Sequence, residues 1–318
     1  MRVKFWGVRG SLATGITHEA IRGKLKKALT LATPGDLLSE DRIESFIDSL
    51  PFSTRGTFGG NTTCVELRTK DNDLVIIDAG TGLGRLSQSL MKDLDMEKSE
   101  KFHMFLTHSH WDHIQGLMFF GPFFMPQNEV TFYSSFEDIL DRLRYQTPFT
   151  HFPITFDELG VTKHFKHIVE GNEYEVCNLK VKSKIVRHPG STYSYRFTDE
   201  DGKIFVFCSD AEFNLEVMDE IGDYIEFFKD ADVLVFDTQY TFNESFQRID
   251  WGHSSAAIAT DIAIKSNVKK LVLFHHDPSY DDEKMDAMTM QAIKYKDLMA
   301  PNHHVHVVTA YEGLEIEL

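Results

Sequence analysis

Short apolar, β-branched runs recur along almost the whole chain, at residues 3–6, 63–67, 74–77, 103–106, 130–133, 181–186, 193–197, 204–207, 233–236, 271–274 and 304–308. Each has the length of a strand, and most are bounded by Gly, Asn, Asp or Pro, which turn or end a strand. Helical periodicity falls between some of them, at 18–31, 42–49, 84–94, 136–144, 215–221, 254–266 and 281–298. Strands come in runs early and alternate with helices late, which predicts a layered α/β sandwich rather than a doubly wound sheet. A chain of 318 residues, 42% hydrophobic, can bury a large core, and a single domain over 1–318 is expected. Residues 13–55 break the pattern. They read as a helical insertion between two strands, basic first (Arg22, Lys24, Lys26, Lys27) and then acidic (Asp36, Glu40, Asp41, Glu44, Asp48). Such a segment serves either as a solvated cap on a sheet edge or as a lid or dimerisation element.

The chemistry is concentrated where one strand ends. Directly after the run at 103–106 stands Thr107-His108-Ser109-His110-Trp111-Asp112-His113, four potential ligands within six residues. A loop leaving the carboxyl end of a strand can converge these groups on two cations only by wrapping around them, and mixed imidazole and carboxylate ligation suits such a site. Taken singly, each histidine has an ordinary structural explanation; the set does not.

The string His108-x-His110-x-Asp112-His113 resembles the signature of the metallo-β-lactamase fold hydrolases, and further motifs follow in that family's order. The run at 74–77 leads into Asp78-Ala79-Gly80-Thr81-Gly82, Arg187-His188-Pro189-Gly190 follows, then Cys208-Ser209-Asp210, then Phe274-His275-His276-Asp277. The resemblance implies an αββα sandwich holding two divalent metal ions. His108, His110 and His188 would hold one, Asp112, His113 and the last histidine the other, with Asp210 between them. Asp112 is thereby also a catalytic residue. Zn²⁺ fits this donor set best, with Mn²⁺ or Fe tolerated. Asp78 is expected to orient the loop rather than to bind metal. Alignment of the closing motif favours His275 as the last ligand, with His276 or Asp277 as the fallback. Hydrolysis by a hydroxide bridging the two ions is what such a centre implies.

Trp251-Gly252-His253-Ser254-Ser255 precedes an Ala- and Ile-rich helical pattern, and Ser254 or Ser255 is placed to cap it. A plain capping turn is one reading. The turn also resembles the motif of the transfer-RNA 3′-processing endonucleases and related phosphodiesterases, in which the histidine faces the leaving group and is held by an acidic residue; Asp237 occupies that position. Expelling an alkoxide requires a proton, and a histidine raised by a carboxylate supplies one near neutral pH. His253 and Asp237 therefore favour phosphodiester chemistry over lactone cleavage, with a lactone or thioester hydrolase and a non-hydrolytic nucleotide sensor as the alternatives.

Several features narrow the partner. Net charge is −16, from 49 Asp and Glu against 33 Lys and Arg, which weighs against a general polyanion binder. The long RNA-processing relatives carry an arm between the third ligand segment and the bridging aspartate. His188 and Asp210 lie only 22 positions apart. A small nucleotide, such as a cyclic nucleotide, is the expected substrate, ahead of a large RNA. The opening Phe5-Trp6-Gly7-Val8-Arg9-Gly10-Ser11 and the later Gly59-Gly60-Asn61-Thr62-Thr63 resemble a bacterial cyclic-nucleotide phosphodiesterase-like subgroup, a homodimer being compatible with that likeness. Arg9, Asn61 and Thr62 are candidate phosphate contacts or else a structural turn, and His276 is a further substrate candidate. The aromatic run at 116–126 is expected to be core or a dimer contact, or a platform for a base. Three cysteines without ligand spacing, no leader-like start and no run of about 18 apolar residues predict a cytoplasmic protein away from membranes.

Overall fold

The computed structural model describes residues 1–93, 98–213 and 221–318. Its strands are β1 (Arg2–Gly7), β2 (Cys64–Arg68), β3 (Leu74–Ile77), β4 (Lys101–Leu106), β5 (Glu129–Ser134), β6 (Thr162–His167), β7 (Tyr174–Val176), β8 (Leu179–Val186), β9 (Thr192–Thr198), β10 (Ile204–Cys208), β11 (Val233–Asp237), β12 (Lys270–Phe274), β13 (His306–Thr309) and β14 (Glu315–Glu317). Among the described residues they form two seven-stranded sheets, ordered β14-β1-β2-β3-β4-β5-β6 and β13-β12-β11-β10-β9-β8-β7. Strands β3 to β6 run parallel in the first sheet and β10 to β13 in the second.

Both faces of the central strands are buried, which is why their sequences read as continuous apolar runs. In β10, Phe205 and Phe207 point to the space between the sheets, while Val206 and Cys208 point to the outer helical layer. In β3, Val75 and Ile77 point inward and Leu74 and Ile76 outward. The inner layer joins Phe5, Ile77 and Phe105 of one sheet to Phe197, Phe207 and Phe274 of the other. Removing one such fully buried ring would cost about 3–5 kcal/mol.

Helices α1 (His18–Leu31), α2 (Glu40–Ser49) and α3 (Phe52–Arg55) lie between β1 and β2. Thr17 and Ser39 cap the first two, and neither helix buries a residue. Lys24 tethers α1 to the body, 2.6 Å from Asp282 and 2.7 Å from the Gly56 carbonyl. Then come α4 (Gly82–Asp93), which covers the first sheet, a single turn α5 (Trp111–Ile114), and α6 (Ile139–Gln146). Helices α7 (Ile221–Phe228), α8 (Phe242–Gln247), α9 (Ala256–Lys265) and α10 (Asp282–Met299) follow, with α7 and α9 packed on the second sheet. The result is the expected αββα layering. The helix expected at 215–221 lies outside the described residues except for Ile221, as does Leu94 of another. In the run at 116–126, Leu117, Met118, Phe120 and Phe123 are core, the first of the readings given for it. No helix of the described residues is long and apolar enough to cross a membrane.

Candidate metal centre

Parallel strands deliver their carboxyl ends to one rim of the sandwich, where open α/β sheets place ligands. Asp78 follows β3, the 107–113 loop follows β4, Asp210 follows β10, Asp237 closes β11 and His275 follows β12. His188 leaves β8 at the same rim. Three of these residues turn off their strands in the left-handed region, Asp78 at φ 58°, Asp210 at 52° and His275 at 61°.

Two clusters share one carboxylate: His108, His110, His188 and Asp210 form the first, and Asp112, His113, Asp210 and His275 the second, with candidate ligand atoms within 4.8 Å of one another in each. Asp210 Oδ2 lies 3.6 Å from His108 Nε2 and 3.7 Å from His188 Nε2. Its Oδ1 lies 3.1 Å from His113 Nε2 and 3.2 Å from His275 Nδ1. Asp112 Oδ2 is 3.3 Å from His113 Nε2 and 3.8 Å from His275 Nε2. Of the adjacent pair, His275 faces this group, while His276 turns away to bond the Ala310 carbonyl at 2.9 Å.

Polar contacts behind the rings decide which nitrogen faces inward. Asp78 accepts from Thr107 N at 2.8 Å, from Thr107 Oγ1 at 2.8 Å and from His113 Nδ1 at 2.7 Å, which leaves His113 Nε2 for the centre. His188 Nδ1 donates to the Gly252 carbonyl at 2.9 Å. Gly252 has φ 88°, and a Cβ there would sit 2.2 Å from His188 Nδ1, so the turn requires glycine. Ser11 N donates to Asp112 Oδ2 at 2.8 Å. The residues fit divalent cations on a direct test: His108, His113 and His275 each hold a buried Nε2 with no hydrogen-bond partner among the described residues. Such buried groups are costly unless something meets them. Burial, helped by neighbouring His113, holds His108 well below the usual imidazole pKa, the neutral form a metal needs.

His253 lies beside the clusters, its ring stacked on His275 with centroids 5.1 Å apart. Its Nδ1 is 2.7 Å from Asp237 Oδ2, and Asp237 is itself held by Ala211 N and Gln239 N at 3.0 Å each. Burial opposes protonation of His253, but the Asp237 carboxylate outweighs it and raises the pKa above the ordinary imidazole value. The expected serine cap on the next helix is not made: Ser255 precedes α9 without a capping bond, and Ser254 Oγ instead donates to the Ala211 carbonyl at 2.5 Å.

Each of the four candidate substrate contacts makes hydrogen bonds within the protein. Arg9 is buried and donates to the carbonyls of Gly59 at 2.8 Å, Asp277 at 3.0 Å and Tyr280 at 2.9 Å. Asn61 Nδ2 donates to Glu312 at 2.9 Å, and Thr62 Oγ1 accepts from Thr81 N at 2.9 Å. Buried His276, beside Arg9, has its pKa pushed down to about 3 by burial first and the guanidinium second, so it is a neutral strut. Arg9 and His276 fasten the segment after β1 to the loop after His275, while Asn61 and Thr62 fasten theirs to Glu312 and Thr81.

Sequence reasoning passed over Glu212. This buried carboxylate accepts from Asp250 N at 3.0 Å and Gly252 N at 2.9 Å, fixing the turn that carries both His253 and the carbonyl behind His188. Its place two residues after Asp210 is the only signal the sequence offered.

The family model described as a beta-lactamase superfamily domain matches residues 74–276, from β3 through the His275-His276 pair. The chain belongs to the beta-lactamase superfamily. It is a metal-dependent hydrolase. Among curated proteins it is similar to the ribonuclease Z of Oceanobacillus iheyensis, 24% identical over 294 residues that cover 77% of this chain and 91% of that one. The ribonuclease Z of Prochlorococcus marinus is 26% identical over 280 residues, covering 70% and 84%. Among solved structures, the metallo-beta-lactamase fold protein YhfI from Bacillus subtilis aligns with a TM-score of 0.63 at 15% identity, covering 100% of this chain and 98% of that one. The short form of human tRNase Z aligns at 0.61 and 16% identity, covering 100% and 99%. Those two likenesses speak for the fold.

Proposed function

We propose that this superfamily member hydrolyses a phosphodiester and that His253 protonates the leaving oxygen. The observation that carries the reading is the buried His253–Asp237 pair, 2.7 Å apart and stacked against His275. His108, His110 and His188 would hold one divalent cation, Asp112, His113 and His275 a second, with Asp210 shared. Two Zn²⁺ ions there would supply Lewis-acid polarisation of a phosphoryl oxygen and a water acidic enough to attack near neutral pH. The protein does the rest. Asp237 fixes the His253 tautomer, so that the proton to be given away sits on Nε2, and its charge steadies the protonated ring until transfer. Glu212 and Gly252 hold that turn in register with His188.

A small nucleotide phosphodiester, cyclic or linear, is the substrate proposed. The chain is acidic overall, and the span from His188 to Asp210 is taken up by β9, β10 and their tight connections. Processing of the 3′ end of an RNA is the second reading, favoured by the ribonuclease Z relatives. The free state of Cys64, Cys177 and Cys208 supports a reducing compartment.

The test compares phosphodiesters with good and poor leaving groups. His253→Ala should lose about 10²- to 10⁴-fold in kcat on an alkyl leaving group, and far less on a nitrophenyl leaving group, which departs without a proton. Equal losses on both would remove His253 from the proton-donor role. Turnover of cyclic mononucleotides against a precursor transfer RNA separates the two substrate readings.

A further inference from the structure

Trp111 stands between His110 and Asp112, yet its side chain is 78% exposed. An indole held in water at the lip of the centre forfeits the burial that normally places tryptophan. Tyr145, near the end of α6, is 89% exposed. The two rings line one open groove of about 380 Å³, together with Ser109, Asp138, Asp141 and Arg142.

We propose that Trp111 and Tyr145 form a base-stacking subsite for the nucleoside adjoining the scissile phosphate. The inference rests on the phosphodiesterase reading and adds where the substrate's base lies. Groove and centre share a wall: Ser109 and Trp111 flank His110, and Arg142 Nη1 reaches Ser109 Oγ at 3.4 Å. A phosphate held at the His110 cluster therefore carries its neighbouring base to the groove. Charge decides what the groove takes. Arg142 lies 2.9 Å from Asp138 and 4.0 Å above the Phe136 ring, so its cation is already matched. Asp141, with its carboxylate 81% exposed, lies 3.7 Å from Arg144, a cation it shares with Asp157 at 2.9 Å, so the groove keeps a net negative charge. A second phosphate is repelled there, whereas a heterocycle offers a π-face to the two rings and amino hydrogens to the carboxylate. Stacking tolerates every base, so the subsite selects for nucleosides as a class.

The test uses the metal-loaded full chain and a linear dinucleoside monophosphate, adenylyl-adenosine, beside the two counterparts in which one base is replaced by hydrogen. The quantity read is the ratio of kcat/KM with and without the base. Trp111→Ala and Tyr145→Ala should each lower that ratio about tenfold for one of the two base positions, the size of one lost stack. Trp111→Phe should restore most of it. An unchanged ratio in both alanine variants overturns the proposal, and Tyr145 lies outside the ligand loop, so its variant reads the subsite even where Trp111→Ala disturbs the loop. Quenching of tryptophan fluorescence by adenosine monophosphate, lost in Trp111→Phe, supports the subsite independently of turnover. Quenching without hydrolysis would end the phosphodiesterase reading and keep the subsite. Hydrolysis indifferent to the base would do the reverse.

Discussion

Replacing Asp78 by asparagine should weaken metal binding through the tautomer of one ring. The carboxylate accepts three hydrogen bonds, from Thr107 N and Oγ1 at 2.8 Å each and from His113 Nδ1 at 2.7 Å. Asparagine keeps one oxygen. If that oxygen meets Thr107 N, the amide NH₂ faces His113 Nδ1, which must then accept. The ring proton moves to Nε2, the atom 3.1 Å from Asp210 Oδ1 and 3.3 Å from Asp112 Oδ2, and a protonated nitrogen binds no metal. If the amide is turned the other way, two donors meet at Thr107 N. Restoring the metal-binding tautomer forfeits a hydrogen bond to a charged group, about 1.5–3 kcal/mol. At about 1.4 kcal/mol per decade, Asp78→Asn should lose roughly ten- to hundredfold in metal affinity. Titration against a chromophoric chelator reads the affinity, and metal analysis reads the stoichiometry. Affinity within about twofold of the parent, at the same stoichiometry, would refute the orienting role of Asp78.

Glu212→Gln should set an amide NH₂ against the N–H of Asp250 or Gly252 and loosen the His253 turn, lowering kcat about ten- to hundredfold in the metal-saturated protein. Unchanged kcat in that variant would leave Glu212 without a positioning role. Away from the centre, the Glu244 carboxyl is held at about 2. Burial works to raise it, and the bonds from Thr241, Tyr280 and Lys284 outweigh burial. A depressed carboxyl stabilises the fold above its unfolded value, 4.5, and that contribution is lost as pH falls from there toward 2. With solvent screening allowed for, about 1–2 kcal/mol is at stake. Urea melts at pH 6 and pH 3 should show a smaller acid loss in Glu244→Gln than in the parent, and equal losses would count against the linkage.

Legibility in the sequence followed burial. Strand β3 coincides with the run at 74–77, and β10, β11 and β12 lie within a residue of theirs, because both faces of these strands are covered and every position but the terminal Asp237 and Lys270 is apolar. The strands that sequence reading missed, β6, β7 and β14, are three of the four sheet edges. In β6 the sequence Thr-Lys-His-Phe-Lys-His has one apolar residue, and β7 and β14 are three residues each, short and charged as edges must be to avoid pairing with other chains. The helices α7 and α8 were missed as well. Of these, α8 is six residues long and buries nothing, so its start lies in the Thr241–Glu244 capping box rather than in any apolar stripe.

The candidate site was legible for a different reason: its ligand types stand in clusters that the apolar strands deliver to one rim. What stayed hidden is which side chains are consumed by holding that rim. Arg9 and Asn61 have the chemistry of phosphate contacts, and only the carbonyls of Asp277 and Tyr280 and the Glu312 carboxylate show that both also tie the protein together. Backbone conformation was equally hidden. Asp78, Asp210 and His275 leave β3, β10 and β12 at positive φ, where L-residues pay roughly 1–2 kcal/mol each and a sequence reader would look for glycine. Such strain persists only where the surroundings over-determine it. Here they do: each residue follows a strand buried on both faces, and each side chain is locked by partners from another loop. The rigid sheets that made the strands easy to read are therefore also what permits the three turns that aim the centre.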